Sequence, residues 1–302
     1  MCASCSGTVQ GTMDNTDEAL RERGERFHAL HQGPDVFVLA NAWDAGSARL
    51  LETAGFTALG TTSAGLAHAL GRRDGDGGVG LGQTLGNGAA IAAATTLPVS
   101  ADLEGGFGDT PAEVARTITR AGGTGVVGGS VEDTTGDASA PIRPLDQAVE
   151  RVEAAVEAAR ALPFRFTLTA RAENFLHGRP DLEDTIARLR AFERAGADVV
   201  FAPGLLDAEA IGAVCAAVEV PVNVLAAGAA ARMTVAELGA LGARRVSLGS
   251  GLSRTALTHA LRAAREIAEH GRLDRLTQAL PMEEVHRWLG SEDPTPPAPP
   301  MP

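Results

Sequence analysis

Short apolar runs alternate with longer segments of helical period along almost the whole chain. Eight runs read as strands: Val36–Ala40, Ala58–Thr61, Val99–Leu103, Gly125–Val131, Phe166–Ala170, Val199–Ala202, Val220–Leu225 and Arg245–Leu248. They carry Val, Phe, Leu and Thr with little polar alternation, as strands of a parallel sheet covered on both faces do. The segments between them open on helix-start signals: Asp44 before Ala45–Thr53, Thr110-Pro111-Ala112-Glu113, Asp181 before Leu182-Glu183-Asp184, then Asp207 and Thr234. Gly196 stops the helix that Asp181 opens. Eight strand–helix units over about 250 residues predict an α/β fold of the (β/α)8 TIM-barrel type. The rival, a doubly wound open sheet, is disfavoured because Asn41-Ala42-Trp43-Asp44 stands where a G-x-G-x-x-G turn would follow the first strand. The expected organisation is a flexible N-terminal tail over 1–17, one barrel domain with C-terminal helices over 18–290, and a Pro-rich tail over 291–302.

Composition narrows the chemistry. The chain of 302 residues contains no lysine and no tyrosine, so all 26 basic residues are arginines. Schiff-base catalysis, pyridoxal phosphate attachment, a Walker P-loop and a Tyr general acid are thereby removed. The net charge of −12, with no basic stripe, argues against nucleic acid as a partner. No apolar run approaches the length of a membrane span, and the first twenty residues lack the apolar core of a secretory signal. Three cysteines, an odd and sparse number, point to a cytoplasmic location. Cys2 and Cys5 lie in the expected tail, and Cys215 reads as a small buried residue.

In a barrel the chemistry sits where strands end. Asn41 and Asp44 follow the first strand, Thr61, Thr62 and Ser63 the second, Asp102 and Glu104 the third, Glu132 and Asp133 the fourth, Arg171 and Glu173 the fifth. The seventh carries Asn223, and the eighth leads into Gly249-Ser250-Gly251. Carboxylates crowded on two adjacent strand ends repel one another unless a divalent cation joins them. With oxygen donors and no His/Cys cluster, Mg2+ is expected, with Mn2+ as the alternative. The expected ligands are Asp102, Glu104 and Glu132. Asp102 and Glu104, two residues apart, would face one ion from the same side of a strand. Asp109 and Asp133 read as caps or solvated acids. Arg171 is expected to clamp a substrate carboxylate or phosphonate, its rival role being an ion pair with Glu173. The Gly-rich, polar segment 70–85, with Arg72, Arg73, Asp74 and Asp76, reads as a lid. His68 and His177 are candidate proton carriers near these loops.

At these residues the chain resembles the isocitrate lyase/phosphoenolpyruvate mutase superfamily, and most of all its short bacterial methylisocitrate lyase-like or carboxyphosphonate phosphorylmutase-like branch. The likeness runs through Ala40–Ala48, Thr61–Gly65, Asp102-Leu103-Glu104-Gly105-Gly106-Phe107-Gly108, Val131-Glu132-Asp133 and Thr169–Asn174. It implies Mg2+-dependent chemistry on small 2-oxo or 2-hydroxy acids that makes or breaks a C–C or P–C bond beside a metal-stabilised enolate, and a C–C lyase is the expected activity. It also implies that Asp102, Glu104 and Glu132 form the metal site, that Thr61, Thr62 and Ser63 hold the substrate carboxylate, and that Arg171 binds substrate. Asp74 falls in the gating loop, and copies are expected to pair as a homodimer or homotetramer with an exchanged final helix.

Two departures bear on the chemistry. The family's lyases carry Lys-Arg-Cys-Gly-His after the fourth strand, whose Cys is the general acid; here the chain reads Thr134-Thr135-Gly136-Asp137-Ala138-Ser139-Ala140-Pro141. The mutases' Lys and Asn are missing from the same loop, and Ala202-Pro203-Gly204 follows the sixth strand. A metal-bound water, Asp74 or His177 is left to move the proton. The alternative readings are a P–C bond enzyme (phosphonomutase or phosphonopyruvate hydrolase-like), a phosphate-binding barrel using Gly228 and Gly249-Ser250-Gly251, and a non-catalytic metal-binding barrel.

Overall fold

The computed structural model describes residues 7–290, and side chains from Asp17 onward. Eight parallel strands close into a barrel in chain order: β1 Phe37–Asn41, β2 Ala58–Gly60, β3 Val99–Asp102, β4 Gly128–Glu132, β5 Thr167–Arg171, β6 Val199–Phe201, β7 Val222–Leu225 and β8 Arg245–Ser247. Pairing of β8 with β1, Arg245 opposite Phe37 and Ser247 opposite Leu39, completes the ring. The helices are α1 Gly7–Gln32, α2 Ala45–Thr53, α3 Ser63–Ala69, α4 Leu81–Ala93, α5 Pro111–Gly122, α6 Leu145–Arg160, α7 Leu182–Arg194, α8 Ala208–Ala217, α9 Val235–Ala240, α10 Gly251–His270 and α11 Met282–Gly290.

The start signals act as read. Asp44, Thr110, Asp181, Asp207 and Thr234 each accept a hydrogen bond from the backbone N–H three residues on. At Thr110 and Thr234 a Glu three residues later returns the bond, so two otherwise orphaned donors are satisfied at each end. The strands sit within three residues of expectation. The largest difference is at β4, where Gly125–Val127 form the approach rather than the strand. Segment 70–85 is not one loop: it runs from Leu70 to Gly80, and 81–85 open α4. Arg72 ties the loop to the Gly78 carbonyl and to Gln83.

Of the N-terminal tail expected over 1–17, residues 1–6 lie outside the described residues, and 7–17 are the first turns of α1. The Pro-rich stretch 291–302, Cys2 and Cys5 also lie outside them. The end of α1 packs at the start of the barrel strands. Phe27, fully buried, stacks edge-on against Phe37 and His31. Gly128 makes room for it, since a Cβ there would sit 2.8 Å from the Phe27 ring and 2.9 Å from the Thr167 carbonyl.

His31 completes this plug. Its Nδ1 lies 2.8 Å from the Phe27 carbonyl and donates to it, which leaves Nε2 as the acceptor facing Arg245. Burial, and then the Arg245 charge, pull its pKa down to about 3. The unfolded chain therefore binds one more proton than the folded chain between about pH 6.5 and pH 3, and stability falls as the pH falls through that window. The slope is about 1.4 kcal/mol per pH unit, so His31 accounts for a loss of about 2 kcal/mol between pH 7.5 and pH 5. Urea unfolding at the two pH values should show a loss smaller by that amount in His31→Gln. An unchanged acid limb in the variant would place the titration elsewhere.

Candidate active site

A cavity of about 240 Å3 opens at the C-terminal ends of the strands. Its wall is made by alternate strand residues, among them Leu39 and Asn41, Ser100 and Asp102, Asn223 and Leu225, Arg245 and Ser247. The period-two spacing is the pleat of the strands turning every second side chain inward. Ser63 at the start of α3, with Asp74 and Ser250 from loops, closes the cavity from above.

Arg171, the last residue of β5, is the electrostatic hub. It reaches Glu173 at 2.7 Å, Asp102 at 3.0 Å and Glu132 at 3.2 Å, with its guanidinium 5.1 Å over the centre of the Phe201 ring. Burial opposes its charge, but Glu173, Glu132 and Asp102 outweigh that and hold the pKa above the ordinary arginine value. The ion pair with Glu173 therefore does form, as one of three. Asp102 also accepts from the backbone N–H of Ser63 at 3.1 Å, and Glu132 from the Thr134 hydroxyl at 2.9 Å.

Negative charge exceeds positive here. Burial, then Asp102, Glu132 and Asp74, push Glu104 up to about 7. Burial likewise raises Glu132, against the pull of Arg171. Asp74 is exposed as a residue, yet its carboxyl turns over the cavity mouth, where burial and then Asp102 raise its pKa. Glu104 does not face the cavity through the pleat of β3, as its two-residue spacing from Asp102 suggested. The strand ends at Asp102, and Glu104 lies beyond it with φ +47°, in the left-handed region that non-glycine residues rarely occupy. Its carboxyl nevertheless falls within electrostatic reach of Asp102 and Glu132.

The carboxylates at this end of the cavity are oxygen donors of the kind a hard divalent cation takes. Asp74 and Asp102 line the cavity, and Glu104 and Glu132, which do not line it, stand close behind, with the single arginine Arg171 among the four. Among the described residues no group of three or more Asp, Glu, His or Cys side chains stands arranged to hold a metal ion. A loosely gathered oxygen set suits Mg2+, which keeps several waters and takes few protein ligands.

The other expected residues divide. Thr61 and Thr62 line the cavity, but the Thr61 hydroxyl accepts from Asp102 N–H and the Thr62 hydroxyl caps α3 through Gly65 N–H. Asn41 lines it too, with its side chain engaged by backbone through three hydrogen bonds: it donates to Thr61 O and accepts from Leu248 and Gly249 N–H. It clamps the loops of β2 and β8 to β1. Asn223 points inward, donating to Ser247 and accepting from Arg245. Asp44 is turned away and caps α2. His177 is exposed and lies off the cavity wall, where its neighbour Leu176 stands instead. His68 is close enough to Asp74 to lower its pKa, and its buried Nδ1 has no partner among the described residues. Asp133, expected to be solvated, is buried. It accepts from Glu173 N–H at 2.9 Å and pairs with Arg188 at 3.1 Å, bracing the segment that carries Arg171.

The family model described as phosphoenolpyruvate phosphomutase matches residues 27–268. The chain belongs to the isocitrate lyase/phosphoenolpyruvate mutase superfamily. This is a superfamily of enzymes with lyase and mutase members. A crystal structure from Burkholderia cenocepacia J2315, assigned only to the lyase/mutase class, is 51% identical with a TM-score of 0.89, covering 92% of this chain and 99% of that one. An oxaloacetate decarboxylase of Chromohalobacter salexigens is 30% identical over 87% of this chain and 93% of its own. The structure of 2,3-dimethylmalate lyase is 28% identical with a TM-score of 0.79, covering 89% of this chain and 95% of that one. Among superfamily features, the loop after β4 lacks the Cys of the lyases, and its Thr134 instead holds Glu132. Arg245 and Thr134 make contacts at this site that the strand ends did not suggest, Arg245 with Asn223 and Thr134 with Glu132.

Among the described residues no helix is long and apolar enough to cross a membrane.

Proposed function

We propose that this chain is a Mg2+-dependent lyase that cleaves or forms a C–C bond in a small 2-oxo or 2-hydroxy carboxylic acid. The observation that carries the reading is the convergence of Asp102 and Glu132 on Arg171 at the rim of the cavity, with Glu104 and Asp74 beside them. Asp102, Glu104 and Glu132 would hold the ion, directly or through water. When bound, Mg2+ supplies a Lewis acid beside the substrate's 2-oxygen, where enolate charge develops. Arg171, released from part of its carboxylate set, offers two parallel N–H bonds to a substrate carboxylate. The turn Thr61–Ser63 lines the same mouth, with its Ser63 N–H held by Asp102 and its Thr61 N–H by the Ser100 carbonyl until a ligand competes for them. Asp74, whose pKa is raised where it lines the cavity, would hold or release the proton in this reading, a role that the exposed His177, off the cavity wall, does not support.

The test is a screen of oxaloacetate-type acids, 2-methylisocitrate, 2,3-dimethylmalate and phosphonopyruvate, with Mg2+ and with EDTA. Mg2+-dependent release of a 2-oxo acid from a carbon acid supports the reading. Turnover of phosphonopyruvate alone would make this a P–C bond enzyme, and no turnover of any would make it a binding protein.

The same reading includes assembly as a homodimer or homotetramer with exchanged C-terminal helices. It is supported by α10, of whose twenty residues only Ser253 is buried, while Leu257 and Leu261 are about half exposed. Light scattering should give a multiple of the chain mass of 30.9 kDa, and Leu257→Glu with Leu261→Glu should reduce it to one chain.

A further inference from the structure

At the floor of the cavity, opposite the acidic pole, lies a buried cation with no counter-ion. Arg245 is 2% exposed, in register with Phe37 on β1 and Asn223 on β7. Its three nitrogens meet neutral acceptors only: Nε donates to Asn223 Oδ1 at 2.8 Å, Nη2 to Thr169 Oγ1 at 3.0 Å and Nη1 to His31 Nε2 at 3.3 Å. His31 cannot balance it, being held neutral by its own bond to Phe27 and its burial. Among the described residues no carboxylate forms a salt bridge with Arg245, and the charge that acts on it is that of Arg171, of the same sign. Each terminal nitrogen spends one of its two N–H groups on these partners, which leaves one on each for another acceptor.

An unbalanced charge in a water-poor site is costly, and proteins pair such charges or use them. The acids that could pair it, Asp102, Glu132 and Glu173, are all committed to Arg171. Asn223 and Ser247 leave the floor polar without supplying charge. We infer that Arg245 makes the barrel floor a second anion subsite, receiving the far carboxylate or phosphonate of a ligand whose near end is held at the mouth. Burial, and then Arg171, lower the Arg245 pKa to about 9, in keeping with a buried cation that has no anion beside it. The inference rests on the cavity being the substrate site. It adds that the far end of the ligand must be charged, and names the residue that reads it.

The test is calorimetric titration in Mg2+ with three kinds of probe. Oxalate, the shortest dianion, is expected to occupy the mouth alone. Malonate, succinate and glutarate are dianions of increasing reach, and propionate, butyrate and valerate are monoanions of the same lengths. The tightest dianion should bind at least about 30-fold more strongly than its monoanion partner, as a desolvated charge pair requires. Arg245→Gln should reduce that ratio below about 3-fold while oxalate affinity changes less than about 3-fold. Arg245→Lys keeps a cation but offers one ammonium in place of two N–H groups, so it should hold a ratio between those of the parent and Arg245→Gln. Without ligand, Arg245→Gln should melt no lower than the parent, because it removes an unbalanced charge; a residue that merely knits the floor would melt lower when replaced. Oxalate binding without preference for dianions, a preference that survives Arg245→Gln, or a preference lost equally in Arg245→Lys overturns the floor subsite and leaves the mouth site standing. Failure of the parent protein to bind any probe overturns both.

Discussion

Asp102→Ala is expected to lower Mg2+-dependent turnover by at least about 10^3-fold, the scale of losing a principal group that stabilises developing charge. Asp102 ends β3, accepts from Ser63 N–H and contacts Arg171 from the cavity side. Its removal takes an anionic ligand from the cation and one anchor from the Thr62–Ser63 turn. The barrel itself should survive, because Arg171 keeps Glu132 and Glu173 and no strand pairing is touched. Two measurements separate the effects. Mg2+ should raise the melting temperature of the parent and leave that of the variant unmoved, and EDTA should silence the parent until Mg2+ is restored. Full activity of the parent in EDTA would sink the metal assignment.

The second large effect is at Arg171. Arg171→Lys retains the charge but loses the paired N–H geometry, and a compact ammonium cannot face Asp102, Glu132, Glu173 and a substrate carboxylate at once. The expected cost is about 2–5 kcal/mol, or roughly 30- to several-thousand-fold in kcat/KM. A rim ion pair would cost at most about 1 kcal/mol. The structure removes the rim picture on one count: the Arg171 side chain is only 14% exposed and touches three carboxylates. Arg171→Met, which leaves those carboxylates without a cation, should lose about 3–5 kcal/mol of stability, since breaking a buried pair strands the remaining charge. Steady-state kinetics and unfolding of Lys, Met and Glu173→Gln variants side by side tell binding from scaffolding. Near-normal kcat/KM for Arg171→Lys would make Arg171 structural.

What the chain itself determined is what short-range physics writes locally. Strands buried on both faces need apolar runs without alternation, and all eight were visible for that reason. A helix cap is a hydrogen bond to a residue three positions on, so Asp44, Thr110, Asp181, Asp207 and Thr234 could be read directly. Once eight units implied a barrel, its topology placed Asp102, Glu132 and Arg171 at one mouth. The same local rule explains the failure at Asp44, where one carboxylate cannot both cap α2 and face a ligand.

Only the tertiary structure decided which charges meet. Strand parity is invisible until register is known: Arg244 and Arg245 are adjacent in sequence, and closure of β8 on β1 and β7 turns Arg245 inward. The balance of Asp133 by Arg188 joins residues 55 positions apart. The left-handed turn at Glu104 breaks the alternation that a D-x-E pair on a strand would obey. His31, on a helix that precedes the barrel, becomes the neutral partner of Arg245 across 214 residues because α1 seals the end of the barrel opposite the acids. Long-range electrostatics depends on distance and burial, and neither is a property of neighbouring letters.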